Sequence, residues 1–308
     1  MTSWLDNAIT IHPEVAQALD EGKPVVALES TVITHGLPFP ENGKLAKSLE
    51  AEIRARGCVP ATIAVLNGVI CVGLEENQLE RLSQPGKMLK ISSRDIAPAV
   101  VLHKSGGTTV AGTLVIAQAV GIKVFSTGGI GGVHRQAPFD VSADLKQLAQ
   151  SPLVVVCAGA KAILDIPATL EVLETYSVPV IGYKTDEFPA FYSSSSGRPV
   201  SARVDSSEEV VDIARAHWAL GLTSAVLVAV PPPEDVALDK KLIESAIQTA
   251  LDEALRKKIY GQAVTPFLLG RVSELTGGAS LRANLGLLRN NARIAAGIAK
   301  YFQPHTTR

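Results

Sequence analysis

The chain has 308 residues, 46% of them hydrophobic but only 5% aromatic, and a formal net charge of -1. That balance excludes the basic footprint of a nucleic-acid-binding protein, and a mean hydropathy of +0.22 describes a large aliphatic core. No apolar stretch reaches the roughly 18 residues of a membrane span, and residues 1–19 lack the apolar segment of a secretory signal, so a cytoplasmic protein with no membrane partner is expected.

Short β-branched runs at 25–28, 62–74, 122–127, 153–160, 178–183 and 224–230 alternate with helix-like segments at 43–57, 76–83, 109–121, 165–176 and 206–221. In the first of these segments Leu45, Leu49 and Ile53 recur every four residues and Gly57 supplies a C-cap, which predicts an amphipathic helix. The strand-like runs are apolar throughout, without period-2 alternation, which implies burial on both faces and a mostly parallel sheet covered by helices. Asn67-Gly68 inside the second run predicts a hairpin, hence one antiparallel pair. After Pro231, Pro232 and Pro233 the chain turns helical, at 239–258, 265–277 and 280–302. The fold expected is therefore α/β: a three-layer α/β/α sandwich with a mostly parallel, mixed central sheet and a helical C-terminal cap, forming a single domain over residues 1–308. No internal repeat or linker interrupts it, and the four serines at 193–196 read as a mobile surface loop. Cys58, Cys71 and Cys157 lie in apolar runs rather than CxxC pairs, which suits buried thiols in a reducing compartment.

Ligands of a parallel α/β sheet collect at the carboxyl ends of its strands, so the residues following each strand are site candidates. These are Glu29, Ser30 and Thr31 after the first run, 128-GGIGG-132 with His134 and Arg135 after the third, Lys161 after the fourth and Lys184 after the fifth. Glu29 reads either as a structural carboxylate or as a partly buried general acid of raised pKa. Lys161, between Ala160 and Ala162, reads as a surface lysine opening a helix or as a desolvated amine fit for Schiff-base chemistry. The segment 105-SGGTTVAGT-113 opens an apolar helix and suits either ordinary Thr capping or a phosphate on helix N-terminal amides. It is not a Walker A motif, and 128–132 does not complete a dinucleotide fingerprint, so its four glycines mean special backbone angles or close backbone packing. Asp140, Ser142 and Asp144 could offer oxygens to a hard divalent cation, or simply start a helix. Pairing Ser30 with His35 lacks the elbow motif of a hydrolase.

Several longer stretches carry a resemblance: 27-ALESTVITHGLPFPENG-43, 59-VPATIAVLNGVICVGL-74, 90-KISSRD-95, 107-GTTVAGT-113, 124-VFSTGGIGGVHR-135, 139-FDVSADL-145, 156-VCAGAKAILD-165 and 266-PFLLGRVSELTGG-278. From about residue 10 to the C-terminus the chain resembles the pseudouridine-5′-phosphate glycosidase, or indigoidine synthase A-like, family. The resemblance implies an enzyme of the lyase type that reversibly cleaves pseudouridine 5′-phosphate to ribose 5-phosphate and uracil in pseudouridine catabolism. It also implies an α/β/α fold, a homotrimer and dependence on a divalent metal, Mn²⁺ above all. Carried over by motif, Glu29 is the proton donor, Lys161 the nucleophile and Asp140 the metal ligand. Lys90, Val110, Ser142, Ala143 and Asp144 contact substrate. Thr109 is grouped with these substrate-binding residues, and the His134-Arg135 pair and Asn284 lie beside the site on the same grounds. Between His134 and Asp140 the chain is shorter than some relatives, and the 192–200 region is variable in kind. Two rivals are weighed against this reading: a ribokinase-like phosphotransferase, faintly suggested by 276-TGGASLRAN-284, and a non-catalytic phosphosugar sensor, which needs neither a strand-end acid nor a desolvated lysine.

Overall fold

The structure, a computed structural model, describes residues 8–135, 137–259 and 264–303. The first part of the leader reading (1–7), the C-terminal tail (304–308) and Gln136 in the short 134–140 segment lie outside the described residues. Fourteen strands are present among the described residues: β1 (Ile9–Ile11), β2 (Val25–Leu28), β3 (Val59–Leu66), β4 (Val69–Val72), β5 (Leu89–Ile91), β6 (Gly106–Thr108) and β7 (Val124–Ser126) form the first half. The second half comprises β8 (Val133–His134), β9 (Ala137–Val141), β10 (Val154–Cys157), β11 (Leu164–Asp165), β12 (Val180–Tyr183), β13 (Ala202–Val204) and β14 (Val226–Ala229).

The main sheet runs β1-β4-β3-β2-β7-β10-β14-β12-β13, with β6 joined to β3 and β5 to β6. Its central strands β2, β7, β10 and β14 are parallel to their neighbours and fully buried, as expected of strands covered on both faces. The predicted hairpin is the antiparallel β3–β4 pair, in which Leu66 faces Val69 across Asn67 and Gly68. Both turn residues have positive φ, 50° and 81°, as a type I′ turn requires. A side chain at Gly68 would also strike the Val100 carbonyl at 2.6 Å, so glycine is needed there twice over.

Helices cover both faces, and the expected C-terminal helices are present at Lys240–Arg256, Val264–Leu275 and Ala279–Ala299. The last is more than a cap. Its Ala283, Leu287, Ala292, Ala295 and Ala296 are buried on the helix that packs on β2, β7 and β10, and the four alanines let the helix close on the strands carrying the site. Among the described residues no helix is long and apolar enough to cross a membrane.

Two readings are corrected here. The serines at 193–196 are tethered: Ser193 is buried and donates to the Leu238 carbonyl (2.9 Å), and Ser196 donates to the Phe188 carbonyl (2.6 Å). Glycines 106–107, read as the opening of a helix, instead form β6, because the ladder to β3 and β5 supplies hydrogen bonds that the local sequence does not reveal.

All three cysteines are free and buried. Burial on β10 pushes the Cys157 thiol up to about 12, so almost no thiolate exists at neutral pH. Cys157 is therefore expected to resist iodoacetamide in the native protein and to be alkylated in denaturant, a difference that peptide mass mapping reads directly.

Candidate active site

Strands β2, β7 and β10 lie side by side and in register, Leu28 opposite Ser126 and Ser126 opposite Val156. The residue after each pair therefore emerges at one edge of the sheet. Glu29 and Thr127 are such neighbours, and the Thr127 hydroxyl donates to Glu29 Oε1. Asn291, fully buried on the last helix, fixes this corner from behind: its Nδ2 donates to the Thr127 carbonyl at 2.9 Å. Glu29 is 7% exposed. Burial holds its carboxyl above the usual carboxylate range, against the opposing pull of the Lys161 cation and the Thr127 bond.

Lys161 follows an isolated bridge between Ile130 and Ala160, and its N–H donates to the Ile130 carbonyl at 3.0 Å. It opens a turn closed by Leu164 N–H to Lys161 O (2.9 Å) and leading into β11, so it does not begin a helix. Lys90, central in β5, reaches the same place. Burial lowers its pKa and the Lys161 cation lowers it further, while Asp144 and Glu29 oppose them.

Glu29, Thr31, Lys90 and Lys161 form the waist of a cleft with two lobes. The larger, polar lobe encloses about 1220 Å³ open to solvent and is lined by Ser92, Asp95, Thr109, His134, Asp140 and Ser142, with Ala143 and Asp144 beside them. The smaller lobe, about 540 Å³, is lined by Val32, His35, Phe191, Leu269, Asn284 and Leu288. Among the described residues, Asn284 Oδ1 is buried there without a hydrogen-bond partner. A larger polar chamber joined to a smaller, more apolar one suits a ligand with a charged end and a less polar end.

Most of the expected residues thus converge, in distinct ways. Ser142 caps the helix Ala143–Leu148, its Oγ accepting from Asp144 N–H (3.2 Å), and Thr109 caps the helix Val110–Ala119, accepting from Gly112 N–H (3.2 Å). The capping reading and a place on the cleft wall therefore hold together for both. Val110 is buried and its side chain does not line the cleft. Ala111 N–H is taken by Asp144 and Gly112 N–H by Thr109, leaving the Val110 amide as the first-turn donor with no protein acceptor among the described residues.

Asp144 differs from its reading as a cation ligand. Its two oxygens accept from Ala111 N–H (2.9 Å) and Gly131 N–H (2.8 Å), tying the Val110 helix to the glycine segment. Of the two aspartates, Asp140, exposed on β9, is left as the candidate cation ligand on the wall of the polar lobe, which Asp95 and Glu29 also line. Among the described residues no three His, Cys, Asp or Glu side chains converge as a ligand set. One carboxylate with bound waters fits a hard ion such as Mn²⁺ or Mg²⁺, which retains much of its hydration shell.

Ser30 does not line the cleft, because its hydroxyl donates to Ile63 O (2.6 Å) and accepts from Thr108 N–H (3.0 Å). Lys184 is not part of the cleft either; its ammonium lies over the Tyr183 ring, 5.8 Å from the centroid. Arg135 turns behind the wall toward Glu244. Thr127 and Asn291 went unmarked in the sequence, although Thr127's place at a strand end was a usable signal. The glycines at 128–132 serve close packing, since none has positive φ. A Cβ at Gly131 would lie 2.2 Å from Ser142 Oγ and 2.7 Å from Asp144 Oδ2. Gly131→Ala is accordingly expected to destabilise by roughly 1–3 kcal/mol and to cost activity beyond the loss of folded protein, which thermal melts and active-site titration separate.

The model of the family described as indigoidine synthase A like protein matches residues 14–301. The chain belongs to the indigoidine synthase A-like family. A family relative from Solibacter usitatus, named pseudouridine-5′-phosphate glycosidase, is 52% identical over 96% of this chain and 99% of its own length. One of the same name from Arabidopsis thaliana is 50% identical over 96% of this chain and 90% of its own length. Two solved structures share the fold. The prealnumycin C-glycosynthase AlnA in complex with ribulose 5-phosphate superposes with a TM-score of 0.89 and 40% identity, covering 96% of this chain and 97% of its own. An indigoidine synthase A-like protein of Thermotoga maritima gives 0.87 and 38%, covering 95% of both chains. The α/β/α architecture is thus that of the family.

Proposed function

We propose that the protein catalyses reversible cleavage of the carbon–carbon glycosidic bond of pseudouridine 5′-phosphate, giving ribose 5-phosphate and uracil. The supporting observation is the waist of the cleft, where a buried carboxylate, Glu29, shares one chamber with Lys161 and Lys90. Supporting this reading, relatives at about half identity are named pseudouridine-5′-phosphate glycosidase, and AlnA, a C-glycosynthase, was solved with ribulose 5-phosphate.

The chemistry explains why these groups are wanted. Paired carboxylates suffice when a glycosidic oxygen can be protonated, but uracil C5 is a carbon and leaves poorly. The Lys161 amine attacks C1′ as the bond from C1′ to the ring oxygen breaks, opening the ribose. Glu29 then delivers a proton to uracil C5; the C1′–C5 bond breaks, its electrons restoring the uracil double bond, while the lysine nitrogen lone pair forms the iminium at C1′. Water adds to that iminium and releases ribose 5-phosphate with the free amine. The raised carboxyl of Glu29 suits an acid that must hold its proton near neutral pH. The Val110 amide and Lys90 serve the phosphate-bearing sugar in the polar lobe, and Asn284 serves the polar edge of the base in the apolar one. Asp140 would hold a divalent cation, which would supply positive charge beside the substrate and polarise its bound waters.

The test is synthesis. Uracil and ribose 5-phosphate incubated with the protein and Mn²⁺ are expected to give pseudouridine 5′-phosphate, identified by its acid-stable C-glycoside. Binding of ribose 5-phosphate with no product, with or without metal, would instead mark a phosphosugar sensor.

A further inference from the structure

We infer that Arg135 is a positioning residue that holds the Lys161 turn in its reactive geometry, using Glu244 of the helix Lys240–Arg256 as its anchor. This rests on Lys161 being the nucleophile. Arg135 follows β8 and turns behind the cleft wall rather than into it. Its Nε donates to the Leu164 carbonyl at 3.2 Å and its Nη2 to the Ala162 carbonyl at 3.1 Å. Those carbonyls bracket Ile163, within the turn that Lys161 opens. The remaining guanidinium edge meets the Glu244 carboxylate, with Nη2 to Oε2 at 3.2 Å and Nη1 bonded to Oε1.

The turn would otherwise be weakly held. Upstream, among the described residues, it has two isolated bridges, Ile130–Ala160 and Gly159–Ala190, and downstream β11 gives a two-residue pairing with β8, Leu164 to His134 and Asp165 to Val133. Arg135 lies next to that pairing and adds two side-chain bonds across the gap between them. A planar fork suits the task, because it meets two carbonyls and a carboxylate at once from fixed directions. Lysine could offer a point charge but not those directions. Glu244 is half exposed, so the ion pair contributes little to global stability. What it does is set the direction of the guanidinium, and so the placement of Lys161 relative to the sugar. Small displacements of a nucleophile are costly to rate, on the order of 100-fold for about 1 Å.

The experiment follows the first covalent step. Ribose 5-phosphate in its open form presents a C1 aldehyde; the Lys161 amine adds, water leaves, and borohydride delivers hydride to the imine carbon, fixing a secondary amine. The rate constant for this trapping at saturating ribose 5-phosphate is independent of how much protein is folded. Arg135→Ala is expected to lower it at least 10-fold with little change in half-saturation, Arg135→Lys to restore it only partly, and added guanidinium to rescue the alanine variant. Glu244→Gln should give an intermediate loss. A wild-type trapping rate constant in Arg135→Ala overturns the inference, including the case where only the amplitude of trapping falls, along with the melting temperature. If wild-type protein traps no adduct at Lys161, the nucleophile reading itself falls, and this role of Arg135 with it.

Discussion

Lys161→Ala is expected to lose at least about 1,000-fold in turnover and all borohydride-trappable adduct, while still binding ribose 5-phosphate. Lys161 stands at the waist of the cleft, with its backbone held by the Ile130 carbonyl. Removing the side chain takes away the amine without disturbing the strand pairing before it. Lys161→Arg separates two roles for the charge. Arginine keeps the cation beside Glu29, whose carboxyl Lys161 pulls downward, but cannot condense with an aldehyde under these conditions. Nucleophilic catalysis therefore predicts that the arginine variant is as inactive as the alanine one. If arginine restores turnover to within about tenfold of wild type, Lys161 acts electrostatically and the covalent route is wrong.

The second large effect is that of Glu29→Gln. The amide keeps the shape of the side chain and loses its proton, so the lysine adduct should still form while carbon–carbon cleavage slows by roughly 100- to 10,000-fold. Stability should move the other way. The folded state raises the Glu29 pKa through burial, so it holds the proton more tightly than the unfolded chain does. Wild-type stability thus falls as pH rises from the ordinary carboxylate value through the raised folded value. Glutamine has no such ionisation, so Glu29→Gln should melt no lower than wild type at neutral pH. A variant that is both inactive and strongly destabilised would point to a structural carboxylate instead.

The Thr127 bond gives a finer check on the same group. Thr127 donates to Glu29 and stabilises its ionised form, partly offsetting burial. Thr127→Val removes that donor, so Glu29 should titrate still higher and the alkaline limb of the cleavage rate should move to higher pH. A limb that stays in place would assign it to another group.

Much of this was legible in the chain itself. Apolar runs without alternation named the buried parallel strands, because burial on both faces leaves no polar side for alternation to mark. Four-residue periodicity of Leu45, Leu49 and Ile53 placed the helix in the 43–57 segment, and Asn67-Gly68 set the hairpin because both residues tolerate positive φ. The rule that ligands gather at strand ends was enough to bring Glu29 and Lys161 forward, and the indigoidine synthase A-like motifs gave them roles. Other features were decided only in three dimensions. β5, β6 and the small β8-β9-β11 sheet are too short to carry a period, and their ladders depend on partners far along the chain. Asp144 looks in sequence like a first-turn acid, yet its oxygens hold amides of residues 111 and 131. Thr127 and Asn291 likewise acquire meaning only when β7 lies beside β2 and the last helix closes over both. The local pattern of residues determines which segments are strands and helices, since periodicity and turn chemistry are properties of neighbours. Which carboxylate has its pKa raised, which is consumed by backbone amides and how the lysine turn is held depend on contacts across the fold, and burial and hydrogen bonding belong to those contacts.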